Sequence, residues 1–396
     1  MTPHNLYFHV PFCASKCHYC AFYSYALSSP ASGWSTVSAS LATTDGEGGA
    51  VSPRKRGECR RIVGDEGGVW NTYETAIISE IKQWAHRAGR VPVPTIFFGG
   101  GTPSLMPTDV FTRIMDATRD AFDVTPDTEI TLESNPGTLD APRLAEFITA
   151  GVNRLSVGVQ SLDDNVLKFF GRRHSAADAR RLLDAARAAG IRVSADFIYG
   201  LPDQTVADVE KMCRDINALN LNHVSLYELS IEPGTPFAAQ KMTLPDNDIA
   251  AEMFEIIGNT LNLPRYEVSN YARPGEECQH NVNIWDGDAY IGFGPSACGR
   301  PYFDDGWWEQ KNDVGAYGIR PLDARTRAIE KIITGLRTAR GVALTPDVTA
   351  AMNMDFIQLH PELLSCGSRF TDYGSRLVTT QKGLLLLDNI LVSLVK

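Results

Sequence analysis

The stretch Asn5-Leu6-Tyr7-Phe8-His9-Val10-Pro11-Phe12-Cys13-Ala14-Ser15-Lys16-Cys17-His18-Tyr19-Cys20 decides how the rest of the chain is read. An apolar, β-favouring run ends at a proline. Three cysteines follow, with three and then two residues between them. Three soft thiolates on one short loop suit an iron–sulfur cluster or zinc. A structural zinc site closes with a fourth ligand, which His9 or His18 would supply. Iron–sulfur clusters normally take four cysteines, so three would leave one iron open to an outside ligand. Phe22 stands where a fourth cysteine would have followed. Cysteines also serve as small buried apolar residues with no metal at all. On the loop alone these readings stay open.

The chain has 396 residues, enough for roughly two or three domains. A hydrophobic content of 43% permits a large core, and a net charge of -10 argues against a general nucleic-acid or membrane-surface binder. No basic segment leads into an apolar one at the N-terminus, so no secretory signal is expected. The most apolar late stretch, Gly383 to Val395, is broken by Asp388 and Asn389, and no transmembrane segment is expected. Eight cysteines without an export signal read as ligands and free thiols, and the expected location is the cytoplasm.

Residues 28–69 are rich in Ser, Ala, Thr and Gly, carry Arg54-Lys55-Arg56, and read as a mobile insertion. After them a beat sets in. Apolar strands are expected at Thr95 to Phe98, Glu129 to Leu132, Arg154 to Val159, Arg192 to Ile198 and His223 to Leu229. Helices are expected at about 72–87, 107–122, 140–149, 175–189 and 205–218. With the opening run this makes six strands, each followed by a helix or a helix-length connection. Such alternation implies parallel strands and right-handed crossovers. The expected fold is α/β, a partial (β/α)6 TIM-like barrel over residues 1–245. An extension at 246–300 and a mostly helical, winged-helix-like region at 301–396 would complete it. Within the extension, Ile249 to Asn262 reads as a helix and Arg265 to Tyr271 as a strand.

Polar and glycine residues recur at the C-terminal ends of these strands, where α/β folds bind ligands. The cysteine loop, Gly99-Gly100-Gly101-Thr102, Glu133, Gln160 and Asp196 should therefore face one mouth. Singly each is ordinary: three glycines make a tight turn, and strand-end acids are often structural. No Gly-Lys-Ser/Thr follows the glycines, so they are not a phosphate loop.

His9-Val10-Pro11-Phe12-Cys13, Cys17 and Cys20, taken with Gly99-Gly100-Gly101-Thr102-Pro103-Ser104, resemble the radical S-adenosylmethionine (SAM) superfamily. More narrowly the chain is similar to the anaerobic coproporphyrinogen III oxidase family. Gly158-Val159-Gln160-Ser161 and Asp196-Phe197-Ile198-Tyr199-Gly200-Leu201-Pro202 support that resemblance. It implies that Cys13, Cys17 and Cys20 hold a [4Fe–4S] cluster whose open iron takes SAM. By the family's motif, Tyr7, Tyr19, Gly100, Gly101, Thr102, Glu133, Gln160, Arg172 and Asp196 fall on SAM contacts. The family has two main branches. The porphyrinogen-oxidising enzymes carry a further cysteine two residues past the third, and a longer N-terminal extension. Phe22 and the twelve residues before Cys13 resemble instead the haem chaperone branch. That branch has a His-Asn-x-x-Tyr-Trp motif linked to haem. Here His280-Asn281-Val282-Asn283-Ile284-Trp285 matches it except at Ile284, and Cys298 stands where relatives often have histidine. The resemblance thus implies His280 as a haem contact, with a loop histidine bonded to backbone as its plain reading. The implied function is binding haem and passing it to an acceptor protein, with an electron donor serving the cluster. The alternative is oxygen-independent oxidation of coproporphyrinogen III.

Overall fold

The computed structural model describes residues 2–27, 66–313, 316–367 and 376–395. Six strands lie side by side in chain order, all parallel: β1 (His4–Val10), β2 (Thr95–Gly100), β3 (Glu129–Ser134), β4 (Arg154–Gln160), β5 (Arg192–Tyr199) and β6 (His223–Glu228). These are the six strands that the sequence predicts. The extension adds two more. β7 (Asn270–Ala272) runs antiparallel beside β6, and β8 (Ala289–Phe293) runs parallel beside β1. β7 and β8 are the two ends of the sheet and do not pair with each other, so the barrel is partial.

Helices α1 (Glu66–Ala88), α2 (Thr108–Ala121), α3 (Ala141–Thr149), α4 (Asp164–Phe169), α5 (Ala176–Ala188), α6 (Val206–Asn217) and α7 (Asn247–Thr260) complete the crossovers. α5 and α6 each begin with a capping box, Ser175 with Asp178 and Thr205 with Asp208, which satisfies the free N–H groups of the first turn. The strands alternate. Leu6, Phe8, Ile96, Phe98, Ile130, Leu132, Leu155 and Val157 point out to the helices and are buried in the main core. Phe98 packs on Phe8 at 4.6 Å and on Phe111 of α2 at 4.8 Å. The intervening residues point inward and are mostly polar: Asn5, Tyr7, His9, Thr95, Glu129, Thr131, Glu133, Arg154, Ser156, Asp196 and His223.

The expected insertion at 28–69 lies outside the described residues, Cys59 and the basic patch with it, except that Glu66 already opens α1. Two expectations need correction. The strand at Arg265 to Tyr271 is confined to Asn270–Ala272, because only that short segment finds a ladder partner on β6. Residues 301–321 are not helical. Gly306–Asp313 and Ala316–Pro321 form an antiparallel pair joined by Cys298–Gly299 and Tyr302–Phe303. Beyond them α8 (Gln279–Trp285) is met by α9 (Ala324–Gly335), where Thr334 Oγ1 donates to the Trp285 carbonyl at 2.8 Å. A second core, including Ile332, Leu336, Leu377, Ile390 and Leu394, sits among short helices and a three-stranded antiparallel sheet. No helix among the described residues is long and apolar enough to cross a membrane.

Candidate cofactor site at the strand ends

The cysteine loop leaves the end of β1 and is pinned on both sides. Phe12–Cys13 pairs with Tyr25–Ala26, and the His18 amide donates to Phe170 O at 3.0 Å. Cys13 is buried, while Cys17 and Cys20 are half-buried, and all three thiols are free. Burial pushes the Cys13 thiol up and the Cys20 thiol to about 11, with nearby Lys16 opposing both shifts. Phe22 is 70% exposed and turns away from the loop. His9 has both ring nitrogens engaged: Nε2 with Tyr23 O at 2.8 Å and Nδ1 with the Tyr7 hydroxyl at 3.1 Å. His18 Nδ1 is held by Phe169 O at 2.9 Å.

The glycines explain themselves by contact rather than as a turn. A Cβ on Gly100 would stand 2.6 Å from the His9 ring, and one on Gly101 would stand 2.6 Å from Phe12 O. Gly101 N donates to Val10 O and Thr102 N to Phe12 O, both at 2.7 Å, so the glycine turn is stitched to the cysteine strand. Gly100 N in turn donates to Glu133 Oε2 at 3.0 Å. Glu133 is pushed up to about 8, first by burial and then by the Asp196 carboxylate; burial raises Asp196 as well.

Arg172 ties the remaining parts together. Its Nη1 faces Cys17 Sγ at 3.4 Å, and its Nη2 donates to Gly158 O at 2.6 Å and to Asn135 Oδ1. Asn135 Nδ2 donates to Thr102 Oγ1 at 2.9 Å. Gln160 ends β4 at φ +65°, with its amide against Gly158. Tyr19 packs edge-on against Phe170 at 5.1 Å and feels the Arg172 charge. Tyr7, Tyr19, Gly100, Gly101, Thr102, Glu133, Gln160, Arg172 and Asp196 are therefore gathered at one end of the sheet, around the cysteines.

His280 is not among them. It lies in the first turn of α8, not in a loop, and is 2% exposed at the opposite end of the strands. Its Nδ1 meets Thr95 Oγ1, in the first residue of β2, at 2.7 Å. The Thr95 hydroxyl donates to Asn5 Oδ1, so its oxygen accepts from His280 Nδ1–H. Nε2 is then a bare lone pair, and it has no partner. Burial depresses the ring to about 3, so it is neutral. α8 thus floors the partial barrel, and Glu129 Oε1 accepts the His280 amide at 3.1 Å.

A profile of the radical SAM superfamily matches residues 7–216. The heme chaperone HemW of Escherichia coli (strain K12) is 36% identical over 311 residues, covering 77% of this chain and 72% of that protein. HemW of Mycobacterium tuberculosis (strain H37Rv) is 31% identical over 412 residues, covering 99% and 95%. The chain belongs to the HemN/HemW family of radical SAM proteins. A mouse relative, radical S-adenosyl methionine domain-containing protein 1, mitochondrial, is 33% identical over 98% of this chain and 86% of its own length. The radical SAM fold is shared with E. coli coproporphyrinogen III oxidase (HemN), at a TM-score of 0.73 and 22% identity, over 99% of this chain and 90% of that one.

Radical SAM membership implies a [4Fe–4S] cluster and SAM, and three free thiols on one loop are donors of the kind a cluster takes. Among the described residues no three His, Cys, Asp or Glu side chains are drawn tightly enough for one metal ion. The cysteines of a cluster bind separate irons, whereas zinc needs four donors at one point. His9, spent on Tyr7 and Tyr23, is not free to be the fourth. Asn135 is the residue that sequence reasoning missed. It links Arg172 to Thr102, and its only signal was its place two residues after Glu133.

Proposed function

We propose that this chain binds haem and passes it to an acceptor protein, on a scaffold that carries a [4Fe–4S] cluster and SAM. The observation that supports this reading is the similarity to HemW proteins, 31–36% identical over three quarters to nearly all of the chain. Phe22 agrees with it: the residue two past Cys20 is an exposed phenyl group, so the loop offers three thiols and no fourth. Cys13, Cys17 and Cys20 would hold the cluster. When bound, the cluster supplies one-electron chemistry to SAM. Arg172 would orient the SAM carboxylate, exchanging its present contact with Asn135 for a charge-assisted one. Glu133 and Asp196 would take its ammonium and ribose hydroxyls, and Tyr7 and Tyr19 would wall the site.

His280 serves this reading as a haem ligand through Nε2, the ring nitrogen that has no partner. With the ring 2% exposed, iron reaches it only once α8 is displaced. Optical titration of the purified protein with haem should give a saturable complex of fixed stoichiometry, and absence of a complex refutes the carrier reading. His280→Ala should shift the spectrum and weaken binding; an unchanged spectrum removes His280 as ligand. The alternative, oxygen-independent coproporphyrinogen III oxidase, has the shared fold behind it. Anaerobic turnover of coproporphyrinogen III with SAM and reductant would favour it instead.

A further inference from the structure

The inward face of the partial barrel holds a group of polar atoms without partners, below the cofactor residues. Arg154, first residue of β4, is 1% exposed, yet its Nε and Nη2 have no hydrogen-bond partner. Thr131 Oγ1, on the residue paired with Arg154 across β3 and β4, also has none. His223 Nδ1, at the start of β6, is a third such atom, and the Arg154 charge reaches that ring. All three side chains are fully buried.

Their polarity can be worked out. Arg154 Nη1 donates to Glu276 O at 3.1 Å, which leaves the parallel Nε–H and Nη2–H free. That side-on fork is the one that grips both oxygens of a carboxylate. Glu129 does not fill it. Glu129 lies 3.9 Å from Nη1, and its oxygens are taken by Arg192 at 2.7 Å and by the His280 amide at 3.1 Å. The Tyr266 hydroxyl accepts from Cys278 N and lies 2.8 Å from His223 Nε2. His223 Nε2 is thereby engaged, and Nδ1 is the ring atom left facing the interior without a partner. The group therefore offers the Nε–H and Nη2–H of Arg154 and the hydroxyl of Thr131, beside His223, while Glu129 at 3.9 Å from Nη1 and Asp196, which the Arg154 charge reaches, balance the guanidinium from either side. Buried donors left unpaired are costly, so such a set is built for an oxygen acceptor.

Burial eases toward the cofactor side. Ser156, two residues up the same inward face of β4, is partly accessible, and Asp196 above it is too. Higher still on β6, Tyr227 is 43% exposed. We infer that Arg154, with Thr131 and His223, forms a carboxylate-binding subsite at the bottom of the interior, for a carboxylate arm of the bound ligand. Resting on the haem reading above, that arm is a porphyrin propionate. The subsite is separate from the cysteine loop and adjoins the floor helix, since Glu129 accepts the His280 amide and lies 3.9 Å from Arg154 Nη1.

The test compares iron protoporphyrin IX with its dimethyl ester, in which both propionates are blocked. Full-length, cluster-loaded protein is titrated with each by optical absorption. The wild type should bind the free acid about ten-fold or more tightly than the ester, as expected for losing a charge-assisted pair. Arg154→Lys keeps the charge but not the fork, and should lose most of that preference while binding the ester as before. Arg154→Met should lose all of it. Equal binding of acid and ester by the wild type overturns the subsite and leaves the haem reading standing. So does a preference that survives in Arg154→Lys. Binding of neither porphyrin overturns both. If Arg154→Lys fails to fold, Arg154→Met carries the same comparison, and equal binding of acid and ester by the wild type overturns the subsite without either variant.

Discussion

At the scale of single residues, Glu133 and Gly101 show how the site constrains its members. Glu133 stands at about 8 because burial and Asp196 both oppose its charge. At neutral pH it is therefore mostly protonated, and a bound cation favours its ionised form. SAM binding at pH 7 should release a proton from it, and SAM affinity should rise with pH until the range near 8 is passed. Calorimetry in two buffers of different ionisation enthalpy measures the release, which Glu133→Gln should abolish. Gly101 has no room for a side chain, since the clash is with the Phe12 and Val10 carbonyls, which are backbone. Gly101→Ala should push the cysteine strand away and cost about 1–3 kcal/mol. Iron content after reconstitution and a denaturation midpoint both report it, and wild-type values in both would refute the steric account. Glu133 and Gly101 stood out in the sequence as strand-end residues. Asn135 and Arg154 did not, because an amide in a turn and an arginine at a strand start each have common surface roles.

Among the elements, α8 depends most on contacts that are distant in sequence. It is seven residues long and marginal by itself, as short helices are. Glu129 from β3 takes the amide of its first turn, and Asn283 on its later turn donates to Asn5 of β1 at 2.9 Å. Thr95 closes the set by accepting from His280. Thr95→Val keeps the shape and leaves His280 Nδ1–H buried without an acceptor. The expected loss is about 1–3 kcal/mol in chemical denaturation, and an unchanged midpoint would mean that the ring finds another acceptor. Local pattern could not reveal α8. Its apolar positions are too few to show a period, and what holds it comes from β1, β2 and β3. β8 is obscured for a related reason, because Gly292 interrupts its short apolar run. That glycine is required by the Cys298 carbonyl, the atom nearest to where its Cβ would be, with the Ala297 side chain next at 2.9 Å.

Across the whole molecule, the sheet is strongest in its middle. β1 through β5 have parallel neighbours on both sides, and β2 to β5 lie furthest from the sheet ends, while β7 has three residues and pairs with β6 only along one edge. Amide hydrogen exchange should therefore be slowest in β2 to β5 and much faster in β7. Comparable protection of β7 and β3 would contradict this ranking. The open side between β7 and β8 has α8 below it, and α9 joins α8 to the second core. Motion of α8 would thus engage both cores.

The sequence alone determined the three-thiol loop, the six-strand beat and the glycine turn. These are matters of spacing and of short-range period, and the chain displays them directly. Only the tertiary structure decided which residues share a space. It set Arg172 against Cys17, put His280 in the floor away from the cysteines, and left the Arg154 fork unpaired. The reason is geometric: which side chains face the interior, and at which level, depends on strand register and curvature. Those arise from pairings between segments tens to hundreds of residues apart.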